Sequence, residues 1–306
     1  MSGRIVVGTS SWADPGFVEE WYPPHLPSRE RLPWYAERFE GVEVNATFYA
    51  IPGADTVARW AEVTPEHFTF DVKLHRLLSR HAADLDSLPK DLRDGVDVNP
   101  RGRVVLTPGL ERAMAERILA ELAPLIEAGK LASFLLQLSP AFTPEQHELG
   151  ELRDLVDALA PHPVAVELRH RAWVKGERRE ETLEAFERLG VAWVGVDAPE
   201  GDSPTMMPGL DAVTRDDLAY VRAHGRNTEG YAHGRSVPER FAYRYTDEEL
   251  GELAERARDL AAQVPQVRMQ FNNNRGADAP VSARRFRELL GQDPGPAPEA
   301  ARESLP

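Results

Sequence analysis

The sequence is 306 residues long and carries 36 Lys and Arg against 50 Asp and Glu, a formal charge of −14. Its 42% hydrophobic, 28% charged and 8% aromatic content excludes collagen-like, coiled-coil and wholly disordered chains. The negative charge opposes extended nucleic-acid binding, which depends on Lys and Arg displacing counterions, and the absence of cysteine excludes disulfides, Cys-zinc sites and thiol nucleophiles.

The start, Met1-Ser2-Gly3-Arg4-Ile5-Val6-Val7, lacks the h-region and cleavage site of a signal peptide. No apolar run approaches the roughly 18 residues of a membrane helix. A cytoplasmic protein without membrane association is expected. A first β-rich run spans Ile5 to Thr9, followed by Val42 to Asn45 and Phe68 to Lys73. The longest gap then separates Lys73 from Ser133. It holds His81, the Asp/Pro/Gly-rich segment Asp84 to Gly102 and helical spacing over Leu110 to Ala128. This stretch reads as an insertion after the third strand, over one end of the fold, or as a solvent-exposed connection.

Five more runs follow: Ser133 to Leu138, Val164 to Leu168, Val191 to Asp197, Leu218 to His224 and Val267 to Asn272. Between and after them lie helical patterns at Pro144 to Leu159, Glu180 to Leu189, Asp247 to Val264 and Ser282 to Leu290. Residues 1–291 are expected to form one domain, with the Pro- and Gly-rich residues 292–306 as a disordered tail. Repeated strand-then-helix order predicts an α/β fold with a parallel sheet, and eight strands at this length point to a TIM-like (β/α)8 barrel. A doubly wound open sheet is the alternative. Its dinucleotide fingerprint is missing, because Val7-Gly8-Thr9-Ser10-Ser11 contains a single glycine.

Successive strand residues point to opposite faces, so each run divides in two. One face is apolar: Val42 and Val44; Phe68, Phe70 and Val72; Phe134, Leu136 and Leu138; Val164, Val166 and Leu168; Val194 and Val196; Val221 and Ala223; Val267, Met269 and Phe271. This set is expected to meet the helix layer. The other face carries Glu43 and Asn45, Asp71 and Lys73, Gln137, Glu167 and Arg169, Asp197, Arg222 and His224, and Gln270 and Asn272. These would point inward, mostly at the C-terminal strand ends, where sites in barrel folds are built. Glu43, Asp71, Glu167 and Asp197 would face Lys73, Arg169, Arg222 and His224. That mixture suits a polar or anionic small-molecule ligand at the barrel mouth. An internal salt-bridge and hydrogen-bond network without a ligand is the competing explanation.

Within this set, Glu43, Glu167 and His224 are the candidate catalytic residues. Separated carboxylates can divide acid and base roles, and a histidine near its ordinary pKa of about 6.5 can take and give protons. Lys73, Arg169 and Arg222 would bind the ligand, while Gln137, Asp197, Asn45 and Asn272 would orient it. Arg226 and Asn227 follow the dense Arg222-Ala223-His224-Gly225 motif, whose glycine allows a sharp turn, and are counted with the binding residues. Among the aromatics, Trp12 and Tyr49 are the candidates to stack on a sugar ring or base. A divalent metal on Glu43, Glu167, Asp197 and His224 is conceivable chemically but not favoured, since Lys73, Arg169 and Arg222 would repel it. No cofactor is identified.

Several segments coincide with a known family. They are Gly8-Thr9-Ser10-Ser11-Trp12; Val42-Glu43-Val44-Asn45-Ala46-Thr47-Phe48-Tyr49; Phe70-Asp71-Val72-Lys73 with Arg76 and His81; and Gln137-Leu138-Ser139-Pro140. Further along come Val166-Glu167-Leu168-Arg169-His170 with Trp173; Arg222-Ala223-His224-Gly225-Arg226-Asn227; and Phe271-Asn272-Asn273-Asn274. Together they resemble the YecE-like family, also called domain of unknown function 72, from about Gly8 to Leu290. The resemblance implies a β/α barrel in the broad neighbourhood of sugar isomerases and endonuclease IV, and no established reaction. Ser11 stands where the family has glycine, and Arg275-Gly276-Ala277-Asp278-Ala279-Pro280 where it often has an Asn-Ala pair, so contacts of that last loop are not carried over.

The leading expectation is therefore an enzyme applying acid/base chemistry to a small polar, anionic or sugar-like substrate. Two alternatives stay open. One is a metal-dependent phosphodiesterase or endonuclease-like activity, which would need a metal-activated nucleophile. The other is a non-catalytic small-molecule-binding protein.

Overall fold

In a computed structural model, which describes residues 2–233, 239, 241–273 and 275–298, the eight β-rich runs form eight strands. They are β1 Arg4–Thr9, β2 Gly41–Val44, β3 Thr69–Lys73, β4 Leu131–Gln137, β5 Val164–Glu167, β6 Ala192–Asp197, β7 Ala219–Ala223 and β8 Gln266–Phe271. All seven pairings are parallel, in the order β1-β8-β7-β6-β5-β4-β3-β2. The sheet thus curls until β1 returns beside β2, giving a nearly closed (β/α)8 barrel. Tyr35 bridges the remaining seam. Its hydroxyl accepts the Thr9 N–H at 2.9 Å and donates to the Gly41 carbonyl at 3.2 Å. Gly8 permits this approach, since a Cβ there would lie 2.2 Å from the Gly41 carbonyl oxygen.

The helices are α1 Pro15–Glu20, α2 Ser28–Ala36, α3 Ala54–Val63, α4 Pro108–Glu121, α5 Ala123–Glu127, α6 Arg153–Leu159, α7 Arg178–Leu189, α8 Thr228–His233, α9 Asp247–Ala261 and α10 Asp278–Leu289. The helical spacing expected over Leu110 to Ala128 is divided at Leu122, next to Pro124, which has no N–H for a continuous ladder. The expected Pro144 to Leu159 helix is confined to α6, preceded by a 3-10 turn over Leu149–Leu152. Helices α1, α2, α3 and α8 have no counterpart in the sequence reading. All four span ten residues or fewer, too short for a sustained periodicity, and Pro33 falls inside α2. The outward strand residues Phe68, Phe70, Phe134, Val166, Val221, Met269 and Phe271 are buried in the layer between barrel and helices. This burial, at about 25 cal/mol per Å2 of apolar surface, is the main support of the fold.

The long segment after β3 packs Leu74, Leu77, Leu78, Ala83 and Leu88 into the core before α4 begins. Beyond α10, Gln292 donates to the Ile5 carbonyl at 2.9 Å, and Arg284 donates to the carbonyls of Gly295 and Pro296 at 2.8 and 2.9 Å. Residues 292–298 of the expected tail are thus tied to the N-terminal end of the barrel. Residues 299–306 and Asn274 of the Phe271-Asn274 motif lie outside the described residues.

Candidate functional site

Side chains across the barrel interior stack in levels along the strands. At the deepest level Arg268 donates through Nε to Asp71 Oδ2 at 2.9 Å and through Nη1 to Thr69 at 2.7 Å. Gln270 and Ser133 donate to the two oxygens of Asp71 at 2.8 and 2.7 Å. Asp71, Arg268, Gln270 and Ser133 are all sealed from solvent. Above them, Arg222 grips Glu43 with both Nε (2.9 Å) and Nη2 (2.6 Å), and Tyr220 donates to Glu43 Oε2 at 2.9 Å. The third nitrogen of Arg222 reaches upward to Glu167 Oε2 at 2.6 Å. Arg222, Glu43 and Glu167 are fully buried, so the guanidinium compensates two carboxylates at once.

Glu167 begins the mouth. Its Oε1 receives Gln137 Nε2 at 2.9 Å, His224 Nε2 at 3.2 Å and Arg169 Nη1 at 3.3 Å. Burial alone would raise this carboxyl, but Arg222, His224 and Arg169 outweigh burial and hold it well below the usual range. On the far side of the imidazole, Asn272 Nδ2 lies 2.9 Å from His224 Nδ1. An amide NH2 only donates, so Nδ1 accepts and the ring proton sits on Nε2, facing Glu167. The Ser10 hydroxyl donates to Asn272 Oδ1 and fixes the amide that way round. Burial pushes the His224 imidazole below its ordinary value despite the pull of Glu167, which favours the neutral ring.

Lys73 ends β3 at the same mouth. Its Nζ lies 4.5 Å from the centre of the Phe48 ring, and the Arg76 guanidinium lies 5.8 Å from the same ring. Burial, then repulsion from Arg222, pushes the Lys73 amine down to about 7, against the attraction of Glu43 and Glu167. His81 approaches the Gln137 carbonyl at 3.3 Å and is pushed down to about 4, mainly by burial. Arg169 extends from Glu167 to the Tyr231 hydroxyl of α8 at 3.3 Å, and Phe241 stands 5.5 Å from the His224 ring. The α8 segment therefore lies over the mouth. It leaves β7 through Gly225 at φ +87°, the sharp turn expected of that glycine.

Seven of the residues expected at the site come together here: Lys73, Gln137, Glu167, Arg169, Arg222, His224 and Asn272. Glu43 is close by, but below the mouth and with both oxygens engaged. Asp197 requires a correction. The β6–β7 register pairs Val194 with Tyr220 and Val196 with Arg222, so the two valines face inward and Asp197 faces out. There it binds Arg226 at 2.9 Å, Arg256 of α9 at 3.1 Å and the Tyr245 hydroxyl at 2.8 Å. The run Val191 to Asp197 is apolar on both faces apart from this one aspartate, so alternation did not fix its phase.

Arg226 follows Asp197 out of the interior and also pairs with Glu252 at 2.9 Å. Asn227 accepts the Gly230 N–H at 2.9 Å and donates to the Ala242 carbonyl at 2.9 Å, pinning the start of α8 and the loop after it. Trp12 turns into the helix layer, 5.2 Å from Trp60 and 6.4 Å from Phe70. Tyr49 is 63% exposed, beside Phe48. Asn45 is half-buried, and its Oδ1 has no hydrogen-bond partner among the described residues. The inward list also omitted Arg268 and Tyr220, although alternation places Arg268 with Gln270 and Tyr220 with Arg222. With these changes the interior holds Glu43, Asp71 and Glu167 against Lys73, Arg169, Arg222 and Arg268.

The donor set does not fit a cation: Arg222 occupies the space between Glu43 and Glu167, and Asp197 belongs to another face. Among the described residues no three His, Asp or Glu side chains are grouped to hold a metal ion. None of the helices among them is long and apolar enough to cross a membrane.

Fold and site together define a β/α-barrel protein with a charged, partly compensated mouth at its C-terminal strand ends. The family model described as "Protein of unknown function DUF72" matches residues 6–304, and the chain belongs to that family. UPF0759 protein YunF of Bacillus subtilis (strain 168) is 30% identical over 293 residues, covering 94% of each chain. UPF0759 protein YecE of Escherichia coli (strain K12) is 29% identical over 196 residues, 63% of this chain and 59% of that protein. Among solved structures, a DUF72 family protein (EF0366) of Enterococcus faecalis V583 matches at a TM-score of 0.79 and 25% identity, covering 95% of this chain and 96% of that one. Another (TM1631), of Thermotoga maritima MSB8, matches at 0.75 and 28% identity, covering 94% and 99%.

Proposed function

We propose that the protein is an enzyme that moves protons on a small polar, anionic or sugar-like substrate at the barrel mouth. Glu167 carries this reading. It is a buried carboxylate kept ionised by Arg222 and linked through His224 and Asn272 to Ser10, with Arg169 beside it and the Lys73 amine at the same mouth. Arg169 would hold the anionic end of the substrate, and Lys73 would meet a polar group of it. The Arg169–Glu167 contact is the longest of those Glu167 makes, so a substrate anion that draws Arg169 away removes a positive charge from Oε1. The basicity of Glu167 then rises when substrate is present, the moment at which a proton acceptor is needed. His224, neutral and carrying its proton on Nε2, passes or returns protons at Glu167. Gln137 and Asn272 keep both groups aligned. Glu43 has the supporting task of fixing Arg222.

The test is a screen of sugar phosphates and hydroxy and keto acids for thermal stabilisation, followed by incubation of each stabilising compound in D2O. Solvent deuterium is expected to enter the bound compound at carbon. Glu167→Gln is expected to reduce that exchange by about 10^2-fold or more while the circular dichroism spectrum stays native. Exchange at the wild-type rate in Glu167→Gln contradicts the assignment. A compound that stabilises the wild-type protein and returns unlabelled and unchanged places it among binding proteins.

A further inference from the structure

Lysine is rare in this chain: 4 residues, Lys73, Lys90, Lys130 and Lys175, among 36 basic side chains. Lys90 and Lys175 are exposed. Lys130 is consumed by structure, its Nζ donating to the carbonyls of Ala61 and Thr64 at 2.6 and 2.7 Å and to the Thr64 hydroxyl at 3.1 Å. Lys73 differs from all three. It is 8% exposed, yet among the described residues no carboxylate lies within 4 Å of its Nζ and no hydrogen bond engages it. The two nearby carboxylates are taken by Arg222. What Lys73 meets instead is the face of Phe48, with inward Leu135 level with it on β4.

An amine left in this position is poorly placed to act as a fixed charge and well placed to act as a nucleophile. We infer that Lys73 forms an imine with the carbonyl carbon of an aldehyde or ketone substrate carrying an anionic group. This deepens the reading above and rests on it: Arg169 receives the anion, and Glu167 and His224 receive protons. The neutral amine attacks the carbonyl carbon, and the C=O π electrons move to oxygen, which gains a proton as nitrogen loses one. The carbinolamine then expels that oxygen as water, leaving C=N; no oxidant or reductant is consumed. The protonated imine draws electrons from the neighbouring C–H bond, whose proton passes to Glu167 and leaves an enamine. Glu167 returns a proton to carbon, and water then adds to the restored C=N, whose C–N bond breaks to release the free amine and the carbonyl compound. Burial and the charge of Arg222, which bring the amine down to about 7, supply the neutral form near neutrality.

Glyoxylate, a small anionic aldehyde, with sodium cyanoborohydride at pH 7 provides the test, each lysine being followed by peptide mass spectrometry. Lys73 is expected to gain the reduced adduct about tenfold or more faster than Lys90 and Lys175, because an ordinary lysine is almost wholly protonated there. Labelling of Lys73 no faster than that of Lys90 and Lys175 overturns the imine. Arg169→Ala should slow labelling at Lys73 alone. If Lys73 reacts fast and Arg169→Ala leaves its rate unchanged, the imine stands and the anion-binding reading of Arg169 fails.

Discussion

Asp71 with Arg268, and Glu167 with Arg169 and His224, are built from the same residue types on the same inward face of one barrel. The deep group is matched in charge: each oxygen of Asp71 has a donor, Arg268 stands 2.7 Å from it, and water is excluded, with only Gln270 Oε1 and Arg268 Nη2 lacking a hydrogen-bond partner among the described residues. The upper group is not, for Lys73 has no ionic partner among the described residues and Arg169 holds Glu167 only at 3.3 Å. The difference follows from position along the strands. Below, a charge without its counterpart has nowhere to find one. At the C-terminal ends solvent or a bound molecule can supply it, so incomplete pairing is tolerated there.

That contrast is broken most severely from below. Arg268→Met should strand Asp71 without its counter-charge and cost about 3–5 kcal/mol in urea unfolding, whereas Asp71→Leu with Arg268→Met should regain most of it. A single substitution costing no more than a surface pair, about 1 kcal/mol or less, would show that the deep level is not sealed as described. A smaller and pH-dependent effect is expected above. Lys73 has a folded pKa of about 7, below that of an unfolded lysine, so between these values the unfolded chain binds the extra proton and stability rises with pH. Below about 7 both states are protonated, and the folded state bears the full cost of the buried charge. Lys73→Met should therefore be more stable than the wild type near pH 6, with the gain shrinking as pH rises toward 10. A gain that stays constant across denaturant titrations in this range would mean that Lys73 is not titrating as described.

Much of the barrel was legible in the residues. The eight β-rich runs fall within two residues of the strand boundaries, because β-branched and aromatic residues cluster there between Gly, Pro and Asp. Alternation gave the inward direction of Glu43, Lys73, Glu167, Arg222 and His224, since one face of each of those runs is plainly polar. It failed at β6, where only Asp197 distinguishes the faces, and past the strand ends at Trp12, where alternation no longer governs. The pairing of Asp197 with Arg256 and Tyr245 depends on α9 and the loop before it, and such distant partners leave no local signature. Nor did any sequence feature separate Glu43, below the mouth, from Glu167 at the upper end of the same network. That distinction lies in depth along the barrel.

The central claim is that the incompletely paired mouth, and not another surface, receives the ligand. A crystal structure of the protein with a compound recovered from the stabilisation screen tests it most directly. The account predicts the compound's anionic group at Arg169 and its reacting carbon between Lys73 and Glu167. The same compound bound in the cleft of Asn227, His233 and Arg275, with Arg169 still on Glu167, would contradict it.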